Sequence, residues 1–352
     1  MLAVPVIRPI STRILPAIRR TSKRPVVLGL AAAAAGAFLL VRPARVDGPA
    51  RTVPPHASPS PAPDDPPDHP AFATWTDRAA GEEARLRAEL GGTFEFLASS
   101  PYFLALERGD GAPIGEYAAR LEALYRRFRA DYAYRITAEE VSVPLPVILF
   151  RTREAYRAYC RTAFGRPLPA AVSGYYHRRS RRLLLLDAED PRHDVLRHEA
   201  VHQLLHHYTQ EASPAPAFWF HEGLAAYYES EDGGTPAPDR LAVWRESVER
   251  GTAIPLRDLL EMTVKRFWET VLDNPDLPED ERAASAERWY AAAWALVRHL
   301  RHGEEGRRRD AFDDYVLREM AGRAMPQDAL ALMGADLDDF ERRWRLAEEE
   351  TR

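Results

Sequence analysis

Residues 197–208 read RHEAVHQLLHHY, and this stretch decides how the rest of the chain is read. In a helix, residues four apart lie about one turn above each other, so His198 and His202 project from one face and can chelate a single ion. Glu199 lies about 100° round from His198, beside the ion and not on it, which is the position a general base needs. Val201, Leu204, Leu205 and Tyr208 follow the i, i+3, i+4, i+7 pattern and predict a separate core-facing stripe. A second helix is expected in PAFWFHEGLAAYYES, residues 216–230, because Pro214 and Pro216 suit a helix start. It supplies Glu222, and two histidines with one carboxylate leave a zinc ion an open position for water, the arrangement of a hydrolytic site. Gly223, Ala225 and Ala226 are small enough for this helix to approach the first one closely.

Upstream of the motif the pattern changes. GTFEFLAS and PYFLALE suggest a hairpin, PLPVILFRT a buried strand, and AAVSGYYHRR with RRLLLLDAED a second hairpin. A helix is expected near Trp75, another where Tyr117, Leu121, Leu124, Tyr125 and Phe128 recur at helical spacing, and a third over REAYRAYCRTAF. Beyond Pro191 nearly everything reads as helix. Phe312, Tyr315, Met320, Leu337, Phe340 and Trp344 fall at helical intervals and predict packing that closes the core. The expectation is one α+β domain over residues 73–348, a small mixed N-terminal sheet with helices followed by a mostly helical half that carries the motif.

The chain has 352 residues, 45% hydrophobic and 29% charged, enough to bury a real core. Its net charge of -5 is small, with no long single-sign run beyond the N-terminus, which argues against nucleic-acid binding. Cys160 is the only cysteine, so no intramolecular disulfide or cysteine-based zinc knuckle can form, and it reads as a small buried hydrophobe. Residues 1–24 are basic and 25–41 are apolar, VVLGLAAAAAGAFLLV being the uninterrupted run. This predicts export, with the N-terminus cytoplasmic and the rest outside, either through an uncleaved signal anchor in the membrane or through a cleaved signal. Residues 42–72 are dense in proline and alanine and read as a disordered spacer.

HEAVHQ followed by WFHEGLAAYYE resembles the HExxHQ…WLNEGLAxYxE pattern of gluzincin metallopeptidases of the MA clan. From about Gly92 to Leu346 the chain more closely resembles an uncharacterised bacterial family of MA-like peptidase domains, whose pattern includes a strand like VILFRTREAY and a GYY turn. The resemblance implies a zincin-type helical half, zinc ligation by His198, His202 and Glu222, and Glu199 as the base. It departs at His221, where the aminopeptidase branch has asparagine. His221 is thus the rival to Glu222 as third ligand, although one position along a helix points a side chain well away. RWYAAAWALVRHL resembles a helix whose tyrosine donates to a developing oxyanion, which falls on Tyr290, with Ala293 where that pattern has glycine. Tyr290 reads equally as a core aromatic beside Trp294, Val297 and Leu300. No GxMEN-like stretch appears, so aminopeptidase action is unsupported and an endopeptidase is the better expectation.

Glu229, two turns after Glu222, is a candidate to hold a ligand histidine by its second ring nitrogen, or a surface carboxylate. His206 is expected to drift off the metal side, and His193 and His207 to lie on or near exposed faces. The function expected is hydrolysis of a peptide or protein substrate outside the cytoplasmic membrane, using one zinc ion. The alternatives are a zinc-stabilised scaffold that processes nothing and a non-peptidase hydrolase on the same site. Specificity is expected from the loops Gln210 to Pro216 and Asp232 to Asp239, whose composition names no ligand; oligomeric state is not legible.

Overall fold

The computed structural model describes residues 30–31, 74–132, 141–165, 168, 172–190, 192–209, 216–231 and 238–349. Among the readings above, the basic segment, the apolar segment apart from Leu30–Ala31, the proline-rich spacer and most of both specificity loops lie outside these residues.

The fold is α+β. A five-stranded mixed sheet is lengthened to six by the two-residue strand β1 (Leu30–Ala31). The others are β2 (Phe94–Ser99), β3 (Tyr102–Glu107), β4 (Leu145–Phe150), β5 (Val172–His177) and β6 (Arg182–Leu186). Their order is β1-β5-β6-β4-β3-β2. The pairs β2–β3 and β5–β6 are the expected antiparallel hairpins, and β4 joins them by running parallel to both β3 and β6. Every residue of LPVILF in β4 is buried, as a central parallel strand covered on both faces requires.

Helices α1 (Trp75–Leu90), α2 (Ile114–Tyr132), α3 (Arg153–Phe164) and α4 (Asp194–Tyr208) cover the sheet. Strand alternation sorts them. Gly174 and Tyr176 of β5 face α4, whereas Tyr175 faces Phe164 of α3, with ring centroids 5.3 Å apart. Local chemistry starts these helices well: Thr74 and Asp77 cap α1 reciprocally, and Thr152 accepts from Ala155 N at 3.2 Å to open α3.

The remainder is helical: α5 (Phe218–Tyr227), α6 (Pro238–Glu249), α7 (Leu256–Glu261), α8 (Val264–Phe267), α9 (Glu279–His302), α10 (Arg309–Met320), α11 (Pro326–Met333) and α12 (Leu337–Glu349). α9 is the hub, touching α5, α6, α7, α10 and α12. Phe312, Tyr315, Met320, Phe340 and Trp344 are buried as expected, Leu337 only partly, and Trp344 stacks on Trp244 of α6 at 4.6 Å. Cys160 is buried, and that burial pushes its thiol up to about 12.

Two packing expectations change. α4 is buried on nearly all sides, His198 and Glu199 included, and not along one stripe, because the sheet, α2 and α5 surround it. Gly223 serves the contact of α5 with α9, not with α4: a Cβ there would stand 2.5 Å from the Ala293 carbonyl oxygen and 2.9 Å from Val297 Cγ2. No described helix is long and apolar enough to cross a membrane.

Candidate metal centre

α4 begins in a tight setting. His193 precedes it at φ 57°, and the buried carboxylate of Asp190 accepts from Val195 N at 3.1 Å and Leu196 N at 2.9 Å. Two of the orphan donors of the helix start are thereby satisfied from outside the helix. Burial outweighs these bonds and raises the Asp190 carboxyl to about 7. At its other end the helix is tied to the sheet by Gln203 Nε2, which donates to the carbonyls of Pro146 and Arg181, each at 3.0 Å.

His198 and His202 then project together, ring centroids 4.9 Å apart, toward Glu222 of α5. Glu222 Oε2 lies 3.2 Å from His198 Nε2 and 3.5 Å from His202 Nε2. The three side chains each offer one ligand atom, all within 4.8 Å of one another, and form a group that can hold a metal ion. His202 Nε2 is buried with no hydrogen-bond partner, its 3.5 Å contact with Glu222 being an ion-pair distance and not a hydrogen bond. Four ligands of a tetrahedral ion bound at about 2.0–2.1 Å stand about 3.3–3.4 Å apart, so these separations already have the size of such a cage.

The opposite edge of His198 is anchored. Its Nδ1 lies 2.9 Å from Glu229 Oε1 and, since a carboxylate only accepts, donates to it; Nε2, 3.2 Å from Glu222 Oε2, is the nitrogen that faces the ligand group and would give up its proton to a metal. Glu229 is itself gripped by Arg240 through two bonds, Nε to Oε2 at 3.0 Å and Nη2 to Oε1 at 2.8 Å. Arg197 Nε donates to the Glu229 main-chain oxygen at 2.6 Å. Glu229 is therefore buried and not at the surface. Burial would lower the His198 pKa, but the bonds to Glu222 and Glu229 raise it to about 9. Burial would raise both glutamates, but His202 and His198 hold Glu222, and Arg240 and His198 hold Glu229, each at about 2.

Glu199 sits outside the ligand group, as the helical spacing requires. The Tyr176 main-chain N–H donates to its Oε2 at 2.7 Å, while Oε1 is buried with no hydrogen-bond partner. Burial raises its pKa, against the pull of His202 and His198. β5 comes this close because residue 174 is glycine: a Cβ there would overlap Val195 Cγ1 and stand 3.0 Å from Glu199 Cγ. Tyr290 of α9 is buried with its ring edge-on to His198, centroids 6.0 Å apart, and the Arg240 guanidinium lies over it at 5.2 Å. Burial, then the Glu222 and Glu199 charges, push its hydroxyl pKa well up.

The other histidines lie outside the group. His221 is not a member of it, and its ring packs edge-on to Phe220 at 5.2 Å. His206 bonds the Tyr176 hydroxyl at 2.6 Å, and His207 lies 3.2 Å from Arg181 Nη2. His193, expected near an exposed face, is buried against Tyr117 at 5.2 Å, because the turn before α4 folds it under α2. Sequence reasoning missed Arg240, Tyr176 and Asp190: the first acts from another helix, the second through its backbone, and the third from before the helix. Only the GYY turn hinted at any of them.

Residues 194–324 match a family described as "Protein of unknown function (DUF1570)". The match opens on the first residue of α4 and runs past α10, so it contains both ligand helices, Arg240 and Tyr290, but not the sheet. No curated protein matches the chain.

Proposed function

We propose that this chain is a zinc metallopeptidase of the gluzincin type, with His198, His202 and Glu222 as ligands and Glu199 as general base. The observation that carries the reading is the convergence of two imidazole nitrogens on one carboxylate oxygen at 3.2 and 3.5 Å, beside a glutamate that keeps one oxygen free of protein partners. Charge supports it. Glu222 and Glu229 are held ionised in a buried site, and the positive charge facing them comes from Arg240 and from His198, whose Nε2 proton a divalent cation would displace. A purely structural site has no use for a carboxylate such as Glu199 standing just off the ligand set.

A zinc ion held there would lower the pKa of a bound water and polarise a substrate carbonyl. Glu199 Oε2 stays on the Tyr176 N–H, so Oε1 is the atom that accepts the proton and later returns it to the leaving amine. Glu229 and Arg240 hold His198 in one tautomer and orientation throughout. Tyr290 is assigned as the donor to the developing oxyanion. The apolar run before residue 42 supports a place for this chemistry outside the cytoplasmic membrane.

The burial of His198, Glu199 and Tyr290 favours one second reading, a zinc-stabilised binding domain without turnover. Metal content and cleavage of a broad peptide library separate the two. Glu199→Gln is expected to retain one equivalent of zinc and lose hydrolysis. Undiminished cleavage by that variant overturns the assignment of the base, and zinc in the wild type with no cleavage of any peptide favours the binding domain.

A further inference from the structure

Residues 177–182, which turn the chain from β5 into β6, read HRRSRR. Gly174 and Tyr176 of β5 face α4, so strand alternation carried into the turn puts Arg178 on that face and Arg179 on the other, with His177. The charges agree. Arg178, together with Arg181, acts on Tyr176 and His206, and it reaches His221 as well, whereas Arg179 acts on His177. His206 lies one helical turn beyond His202, and His221 adjoins Glu222, so Arg178 stands at the edge of the metal centre. We propose that Arg178 binds a carboxylate of the substrate and so directs the peptidase reading, on which this assignment rests, toward acidic peptides.

Arg178 is half-buried and, among the described residues, makes no hydrogen bond or ion pair, yet its guanidinium nitrogens reach solvent. Burial pulls its pKa down, and no carboxylate stands beside it to answer. The buried arginines behave otherwise: Arg182, Arg197, Arg240 and Arg301 pair with Glu89, Asp194, Glu229 and Asp131 at 2.6–3.1 Å. A partly desolvated guanidinium with every donor free and open to solvent is matched by a carboxylate, which it can grip through two parallel bonds.

Access to the metal centre favours the same side. His202 is the least enclosed of the three ligands, 5% exposed against 0% for His198 and 1% for Glu222, and α4 runs from it toward His206 and the turn. An anionic membrane surface would meet the exposed Arg179 and Arg181 first, and Arg181 already lies 3.2 Å from His207. It is the recessed Arg178 that lacks a partner.

The test is fluorescence anisotropy on the whole zinc-loaded Glu199→Gln protein with three labelled alanine-based peptides. One has a central Glu and an amidated end, the second Gln in its place, and the third that Gln with a free C-terminus. A peptide carboxylate is expected to tighten binding by about tenfold, and the preferred peptide tells side chain from terminus. Arg178→Gln should abolish the preference and Arg178→Lys, which keeps the charge but not the paired bonds, should retain part of it. Arg161→Gln, at an exposed position of α3, should leave it intact. Equal binding of all three peptides, or a preference that survives Arg178→Gln, overturns the proposal. So does Arg178-dependent retention on phosphatidylglycerol vesicles with no preference among the peptides. The two readings fail separately: an Arg178-dependent preference in a chain whose wild type cleaves no peptide rejects the peptidase and keeps the carboxylate site, whereas equal cleavage of all three by the wild type does the reverse.

Discussion

The same substitution should have opposite signs at two helical glycines. Gly81 is an exposed position of α1 with nothing within 4 Å of an added Cβ. Gly81→Ala therefore gains only the helix preference of alanine and the reduced freedom of the unfolded chain, about 0.5–1 kcal/mol of stability. Gly223→Ala gains the same preference but drives its Cβ to 2.5 Å from the Ala293 oxygen, 2.9 Å from the Ala293 carbonyl carbon and 2.9 Å from Val297 Cγ2. Val297 can turn, but the Ala293 carbonyl is helix backbone, so relief requires α5 and α9 to separate by several tenths of an ångström. Overpacking of that kind costs about 1–3 kcal/mol, and a backbone neighbour puts it at the upper end. Subtracting the helix gain leaves a net loss of about 2 kcal/mol, or a melting temperature lower by roughly 3–4 °C for a domain of this size. Thermal and urea denaturation of both variants beside the wild type measure this directly. Because Glu222 immediately precedes Gly223 and stands 3.2 Å from His198 Nε2, the Gly223→Ala protein should also hold metal less tightly. A Gly223→Ala protein as stable as Gly81→Ala refutes the reasoning, since the helices would then not be as close as this packing requires.

Glu229→Gln takes the charge from the group bonded to His198 Nδ1 and should weaken zinc binding by about 10–100-fold in competition with a chromophoric chelator at fixed pH; an unchanged affinity in a folded variant counts against the anchoring role. Asp190, raised by burial to about 7, keeps a proton in the folded state that the unfolded chain releases near the ordinary aspartate value of 3.8. Its contribution to stability is thus full below about pH 4 and falls as pH rises toward 7, by at most about 1.4 kcal/mol per pH unit. The stability difference between wild type and Asp190→Asn should follow that slope, and a flat difference across the window contradicts it. Cys160, buried with its thiol pushed up to about 12, should resist a thiol reagent at neutral pH in the native protein and react at once in denaturant; rapid native reaction would place the α3 packing in error.

The sheet, the hairpins and the helical half were legible because each has its own period. Alternating or continuous apolar runs of five or six residues mark β2 to β6, and a spacing of four, one helical turn, sets His198 above His202 whatever surrounds them. Where pairing depends on an element far along the chain, the signal fades. Glu229 and Arg240 are eleven residues apart, on separate elements, and nothing in AYYES or PDRLAV says that one will grip the other. The Tyr176 N–H that holds Glu199 is a backbone group, which every non-proline residue has, so no side-chain pattern can single it out. The burial of α4 on nearly all sides had no counterpart in its sequence, because its histidines, glutamate and glutamine read as polar until their partners are known.

What sets the dimensions of the centre is therefore not the motif alone. The motif fixes the two histidines relative to each other; it says nothing of how far Glu222 or the strand behind Glu199 stands from them. Those distances come from two close approaches, α5 onto α9 at Gly223 and β5 onto α4 at Gly174, and each glycine lies next to a site carboxylate, the first in sequence to Glu222 and the second in space to Glu199. A side chain at either would push one carboxylate out while leaving every residue of the motif in place. A chain with the same histidines and glutamates but bulkier residues at 174 and 223 could keep the pattern and lose the cage, so in this fold the two glycines are as much a part of the centre as the groups that line it.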